Sequence, residues 1–175
     1  MSANQVTVFA MLLSFLAGGL ILLLPDFHWS LLAIPVVLFL RMALNAIDGM
    51  LAREHDMKSS LGAILNELGD VFSDAALYLP LAMINGISAT LIVICVLMAV
   101  ITEMTGVVAV QIGAQRRYDG PMGKSDRAFV FGAIALVLGL GYSAQVWVNY
   151  ILMIMIVLLC LTVVNRSRRA LEEVR

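Results

Sequence analysis

The sequence predicts an all-α fold, a polytopic membrane bundle of six transmembrane helices. Three observations carry that expectation. Of the 175 residues, 62% are hydrophobic and 13% are charged, where a soluble domain is about 45–50% apolar. The apolar residues fall into six long runs. Ten of the eleven Lys and Arg residues sit in alternate connections between those runs.

The elements follow in order, each close to the about 20 residues that a membrane helix needs. The first span, about 6–24, stops before Pro25-Asp26-Phe27-His28. It has no basic leader segment and no small-residue cleavage site, so it reads as a helix of the bundle and not as a signal peptide. The second span covers about 30–50 and the third about 61–84. Asn85-Gly86-Ile87-Ser88, a turn composition, separates the third from the fourth, about 88–112. The longest polar connection, 113–127, precedes a fifth span at about 128–144 and a sixth at about 148–165. No linker or repeat divides the chain, so 1–175 reads as one domain.

Arg53 and Lys58 lie between spans two and three. Arg116, Arg117, Lys124 and Arg127 lie between four and five. Arg166, Arg168, Arg169 and Arg175 follow span six. The other connections hold none, so the positive-inside rule places both termini on the cytoplasmic side of the cell's inner or plasma membrane. No basic stripe with interleaved aromatics is present, which excludes nucleic acid as a partner. Cys95 and Cys160 fall in apolar runs and read as packing residues. His28 and His55 read as solvated loop residues.

Within this lipid-like pattern, one run carries the chemistry. Asn45 and Asp48 are three apart and share a helical face, continued toward the cytosol by Gly49, Ala52 and Arg53. Asn66, Asp70 and Asp74 are spaced by four and form a second stripe, bordered by Glu67. The two helices are antiparallel, so the stripes meet near the cytosolic surface, with Asp74 deepest. A carboxylate in a bilayer needs a task or a partner. Oxygen-only donors suit Mg²⁺, Mn²⁺ or Ca²⁺, and such an ion takes phosphate oxygens on its open side. Gly49 and Ala52 remove bulk where a ligand approaches. Arg53 and Lys58 add positive charge at the rim, and Lys124 and Arg127 are placed to receive a second phosphate. Arg41 reads as a helix tie to Glu67, Glu103 or Asp74. Arg116, Arg117 and the C-terminal arginines read as topology and headgroup contacts. Arg41 is also expected to be the one intramembrane base near four acids, Asp48, Glu67, Asp70 and Asp74, too few to pair them all.

The run Asn45 to Asp70 resembles the signature of the CDP-alcohol phosphatidyltransferases, Asp-x2-Asp-Gly-x2-Ala-Arg, seven or eight residues, then Gly-x3-Asp-x3-Asp. Asp48, Gly49, Ala52, Arg53, Gly62 and Asp70 match in type and spacing. Ser2-Ala3-Asn4-Gln5-Val6-Thr7 is similar to the stretch that opens the family's first span, and Gly123-Lys124 to the pair that opens its fifth. The chain does not include the interfacial helix that family members usually carry before that stretch.

The resemblance implies a metal-dependent phosphotransferase of phospholipid biosynthesis. It would move a phospho-alcohol group from a CDP-alcohol, such as CDP-diacylglycerol, to an alcohol acceptor and release CMP. It implies Mg²⁺ or Mn²⁺ as cofactor, membrane lipids as partners and a homodimer. By residue it implies Asp70 as the general base and Asn45, Asp48, Asn66 and Asp70 as the metal positions. Asp48, Gly49, Ala52, Arg53 and Gly62 fall at the donor, and Lys124 and Arg127 on the acceptor side. Where the family carries its first and third signature acids, this chain has Asn45 and Asn66. An amide keeps a ligand oxygen and loses the charge, and Glu67 and Asp74 are the nearby acids able to compensate. The asparagines motivate a rival reading, a non-catalytic relative that binds nucleotide or lipid or serves as a partner subunit. A transporter would need discontinuous helices in repeated halves, which the sequence does not show.

Overall fold

The structure, a computed structural model, describes residues 2–54, 59–144 and 146–175. Among the described residues, six α-helices make up the bundle: α1 Ala3–Leu23, α2 Ala33–Glu54, α3 Ser60–Tyr78, α4 Ala89–Gln111, α5 Lys124–Gly139 and α6 Val146–Glu173. Short 3₁₀ turns at His28–Leu32 and Leu79–Met83 lead into α2 and out of α3. No strand occurs among the described residues.

Local chemistry explains where helices begin. Ser2 caps α1 in a reciprocal pair with Gln5: Gln5 N–H donates to Ser2 Oγ at 3.3 Å, and Ser2 N–H to Gln5 Oε1 at 2.9 Å. Ser59 caps α3 by accepting from Gly62 N–H at 2.9 Å. Asp126 accepts from Gly123 N–H at 2.8 Å at the start of α5. Between α3 and α4, Gly86 adopts φ +89°, and a Cβ there would collide with the Ala144 carbonyl. Asn149 of α6 clamps the same turn, accepting from Ser88 N–H at 2.8 Å and donating to Gly86 O at 3.1 Å.

Several boundaries move from the expected ones. Span three is α-helical to Tyr78 and continues as the 3₁₀ turn to Met83, because Pro80 has no N–H to continue the α-helical ladder. The fifth helix begins at Lys124, inside the connection expected to be polar, and the sixth continues through Arg166, Arg168 and Arg169. Among the described residues, four helices are long and apolar enough to cross a membrane: Asn4–Leu23, His28–Ile47, Ala89–Gln111 and Val146–Glu173. Helix α3 carries Glu67, Asp70 and Asp74, and α5 has 16 residues.

α1 packs on α2 and α3, α4 on α6, and α5 on α2 and the first 3₁₀ turn. Tyr78 and Phe131 stack at 4.0 Å between ring centres, joining α3 to α5 within a core that includes Ile21, Ile34, Leu77 and Leu152. Phe9, Leu16, Phe39 and Met104 are exposed, the pattern of a surface that faces lipid. Gly18 meets the backbone carbonyl of Ala76, which lets α1 lie directly against α3, whereas Gly19 faces open space. Gly18→Ala should therefore lower the melting temperature of the detergent-solubilised protein, at a cost of about 1–3 kcal/mol. Gly19→Ala should not lower it.

Candidate active site

The polar stripe of α3 forms one wall of the site. Asn66 is exposed, Glu67 and Asp70 are half-buried, and Asp74 is buried. The stripe, together with Glu103 of α4, meets cations from four other segments. Arg41 of α2 donates to Asp74 Oδ1 at 3.0 Å and lies 3.5 Å from Asp70. Arg127 of α5 donates to Asp74 Oδ2 at 3.1 Å, to Glu103 Oε1 at 3.0 Å and to Thr102 Oγ1 at 3.2 Å. Arg116, in the loop after α4, holds Glu67 with two bonds of 2.6 and 2.7 Å and reaches Glu103 at 3.0 Å. Arg166 of α6 lies 3.5 Å from Glu103 and also donates to the carbonyl of Thr102. Lys124, at the start of α5, lies 2.5 Å from Asp70.

Charge pairing of this kind is what allows acids to sit among apolar helices. A buried ion is stable only where its partner and remaining hydrogen bonds are supplied. Glu103 answers three arginines, and Asp74 spends each oxygen on a different guanidinium. Burial pulls the Arg116 guanidinium down, but its hydrogen bonds to Glu67 and Glu103 win and hold it above the ordinary arginine value. The hydrogen bond from Arg117 holds the Asp119 carboxyl below the usual carboxylate range.

A cavity of about 350 Å³ opens beside this network, lined by Asn66, Glu67, Asp70, Lys124, Arg116 and Arg166, among others. A second, of about 230 Å³, is lined by Asn45, Arg41, Met42 and Asp74. Lys124 and Ser125 line both. The structure thus brings Asn66, Asp70 and Lys124 together, and it places Asn45 on the other side of Lys124. Gly62 packs against Asn4 at the start of α1, where a Cβ would lie 2.8 Å from the Asn4 amide oxygen. The side chains of Asp48, Gly49, Ala52 and Arg53, and all of Lys58 and His55, lie outside the described residues.

Three sequence readings change. Arg127, expected on the acceptor side, is 1% exposed and tied to Asp74, Glu103 and Thr102, so it shapes the site without lining its cavity. Arg116 and Arg166, read as topology and headgroup contacts, are site residues, and Arg166 is 1% exposed. Among the described acids of α3 the pairing shortfall around Arg41 is made up by Arg116 on Glu67, Lys124 on Asp70 and Arg127 on Asp74. A signal was present: Gly106, three residues after Glu103, leaves the space that Arg116 occupies, and a Cβ there would overlap its Nη1.

The donor set in reach is made of carboxylate and amide oxygens, which fits a hard divalent cation and not a thiolate- or imidazole-bound one. Among the described residues, no three His, Cys, Asp or Glu residues converge, so such an ion would depend on the amides of Asn45 and Asn66 beside the acids.

Apolar helices around a cavity of oxygen donors and paired cations define an integral membrane protein with a polar site among its spans. The chain belongs to the CDP-alcohol phosphatidyltransferase family, whose model matches residues 1–167. The inner membrane protein YnbA of Escherichia coli (strain K12) is 45% identical over 170 residues, 97% of this chain and 84% of the relative. The phosphatidylinositol phosphate synthase PgsA1 of Mycobacterium tuberculosis shares the fold. Its structure with CDP-DAG bound superposes with a TM-score of 0.74 at 18% identity, covering 99% of this chain and 86% of that one. Its manganese and citrate complex gives 0.78 at 19% identity, covering 97% and 82%.

Removing the Glu103 charge leaves the buried Arg166 without a carboxylate and takes one of two from the buried Arg127 and the half-buried Arg116. Glu103→Gln should cost about 3–5 kcal/mol of stability in thermal or denaturant unfolding. Glu172→Gln, which breaks only the exposed pair with Arg169, should leave the melting temperature unchanged.

Proposed function

We propose that the protein transfers a phospho-alcohol group from a CDP-alcohol, CDP-diacylglycerol first among them, to an alcohol hydroxyl, with release of CMP. The observation that carries this reading is the convergence of Asn66, Asp70 and Lys124 on one cavity in a chain of this family. The CDP-DAG and manganese complexes of PgsA1 support the choice of donor and of a divalent ion.

Asp70 is the base. Its carboxylate takes the proton of the acceptor hydroxyl as that oxygen attacks the β-phosphorus of the donor, whose bond to the CMP oxygen breaks. Lys124, 2.5 Å away, orients Asp70. Asp48, Asn45, Asn66 and Asp70 would hold the ion, with Gly49, Ala52, Arg53 and Gly62 on the donor side. When bound, Mg²⁺ or Mn²⁺ offsets the negative charge of the pyrophosphate and of the departing CMP. The arginine pairing that neutralises α3 lets α3 and α5 complete six spans. The positive-inside rule, applied to the Lys and Arg residues of alternate connections, supports a cytosolic site and cytosolic termini.

The second reading, a non-catalytic relative, is favoured by Asn45 and Asn66. Purified protein in liposomes with CDP-diacylglycerol, Mn²⁺ and a panel of alcohols separates the two. Metal-dependent CMP release that falls by about 10²–10⁴ in Asp70→Asn, with the variant still folded, is the expected result. Release that survives in Asp70→Asn would remove the base. No release from the wild type, together with release after Asn45→Asp and Asn66→Asp, would establish a degenerate site.

A further inference from the structure

We propose that one face of α6 holds the α4–α5 loop in the place that completes the larger cavity. On the phosphotransferase reading, on which the kinetic consequence rests, Thr162 and Glu173 are then positioning residues for the acceptor alcohol, although neither borders the cavity.

α6 is longer than a membrane crossing needs. Its 28 residues rise about 42 Å at about 1.5 Å each, against a hydrocarbon core of about 30 Å. The charged residues of the helix all fall between Arg166 and Glu173. Thr162, Arg166, Ala170 and Glu173 meet the loop, and their spacing of four, four and three puts them on one helical face. Thr162 Oγ1 accepts from Met122 N–H at 2.9 Å. Gly120, at φ +127°, lies so close that a Cβ there would sit 2.6–2.8 Å from Thr162. Arg166 Nε donates to Asp119 O at 3.2 Å. Ala170 forms a small apolar cluster with Ala109 and Ala114. Glu173 accepts from Gln115 N–H at 3.1 Å on one oxygen and from Arg117 Nη1 at 2.6 Å on the other.

The loop needs this support. From Tyr118 to Gly123 it forms no helix or strand, so no ladder of its own opposes the entropy of ordering it. Yet Arg116, Tyr118, Gly120 and Gly123 build one wall of the cavity, and Lys124 follows directly. Glu173 ties the start of that wall at Gln115 and Arg117, and Thr162 ties its end at Met122. The backbone between these points can shift only when one of them lets go. Thr162 is the firmer tie. It is buried, and its hydroxyl donates to Leu158 O at 2.8 Å, which aims the oxygen at Met122. Glu173 is a third exposed, so its pair with Arg117 is the weaker one.

The test uses the whole protein in two arms. In detergent, trypsin cleavage after Arg116 and Arg117 is followed by mass spectrometry, beside the melting temperature. Thr162→Val, which removes the oxygen, and Glu173→Ala should be cut about fivefold faster than the wild type, the weight of one hydrogen bond. Thr162→Ser keeps the oxygen and Glu172→Gln lies off the face, so both should be cut at the wild-type rate. Thr162 touches neither arginine, so a faster cut in Thr162→Val reports the loop itself. Wild-type rates in both folded variants overturn the proposal, and Glu173→Ala decides alone if Thr162→Val does not fold. In liposomes with CDP-diacylglycerol and Mn²⁺, CMP release is measured with glycerol 3-phosphate, inositol and serine. For the alcohol that the wild type uses best, Thr162→Val should raise KM about fivefold while sparing kcat and the KM of CDP-diacylglycerol, and Thr162→Ser should restore it. A loss of kcat at an unchanged acceptor KM shows a structural role alone and overturns the positioning role. If no alcohol supports release, the phosphotransferase reading fails separately, and the cleavage rates still decide whether α6 holds the loop.

Discussion

Everything in this bundle depends on the pairing of Glu103 and Asp74 with arginines from four other segments. In hydrocarbon an unpaired charge costs several kcal/mol or more, so each acid is tolerable only where its cations arrive. Arg41 comes from α2, Arg127 from α5, Arg166 from α6 and Arg116 from the α4–α5 loop. These contacts form together in one register of the helices. Sliding α5 by a turn would carry Arg127 away from both of its carboxylates. The network is costly to desolvate and adds little net stability over an apolar core, but it penalises every misalignment. Its value to the fold is specificity.

The same pairing sorts the acids of α3. Asp74 sits deepest with both oxygens on arginines, and Glu67 is held in a bidentate grip. Asp70 alone among them lies beside an ammonium at the edge of the larger cavity, next to Asn66. Lys124 and Arg116 are paired with carboxylates of the protein itself. At positions 45 and 66 an amide offers an oxygen without a negative charge.

Much of this was legible in the chain. The six helices follow from apolar run length, the Gly86 turn from Asn85-Gly86, and the α3 stripe from the spacing of Asn66, Asp70 and Asp74. The pairing of Arg41 with Asp74 was among the expected ties. Pro80 falls inside the span expected at 61–84, where run length alone does not mark the end of the α-helix. The partner cations were not legible, for a physical reason. Arg116, Arg127 and Arg166 stand about 40–100 residues after the acids of α3, and periodicity places a residue on a face without naming the element that face meets. Counting Lys and Arg by loop assigned Arg116 and Arg166 to the membrane surface, where their charge sets topology, and missed that the same side chains turn inward. The resemblance to the family located Asp70 and its asparagine neighbours, which composition could mark only as polar.

The central claim is the division of labour between Asp70, which serves the cavity, and Asp74, which ties helices. Mn²⁺ binding in the presence of CDP, followed by the loss of the free-ion EPR signal and read beside the melting temperature, tests it most directly. Asp70→Asn should lose the ion and stay folded, while Asp74→Asn should keep the ion and melt lower. An Asp74→Asn protein that loses the ion while its melting temperature stands unchanged would contradict the account.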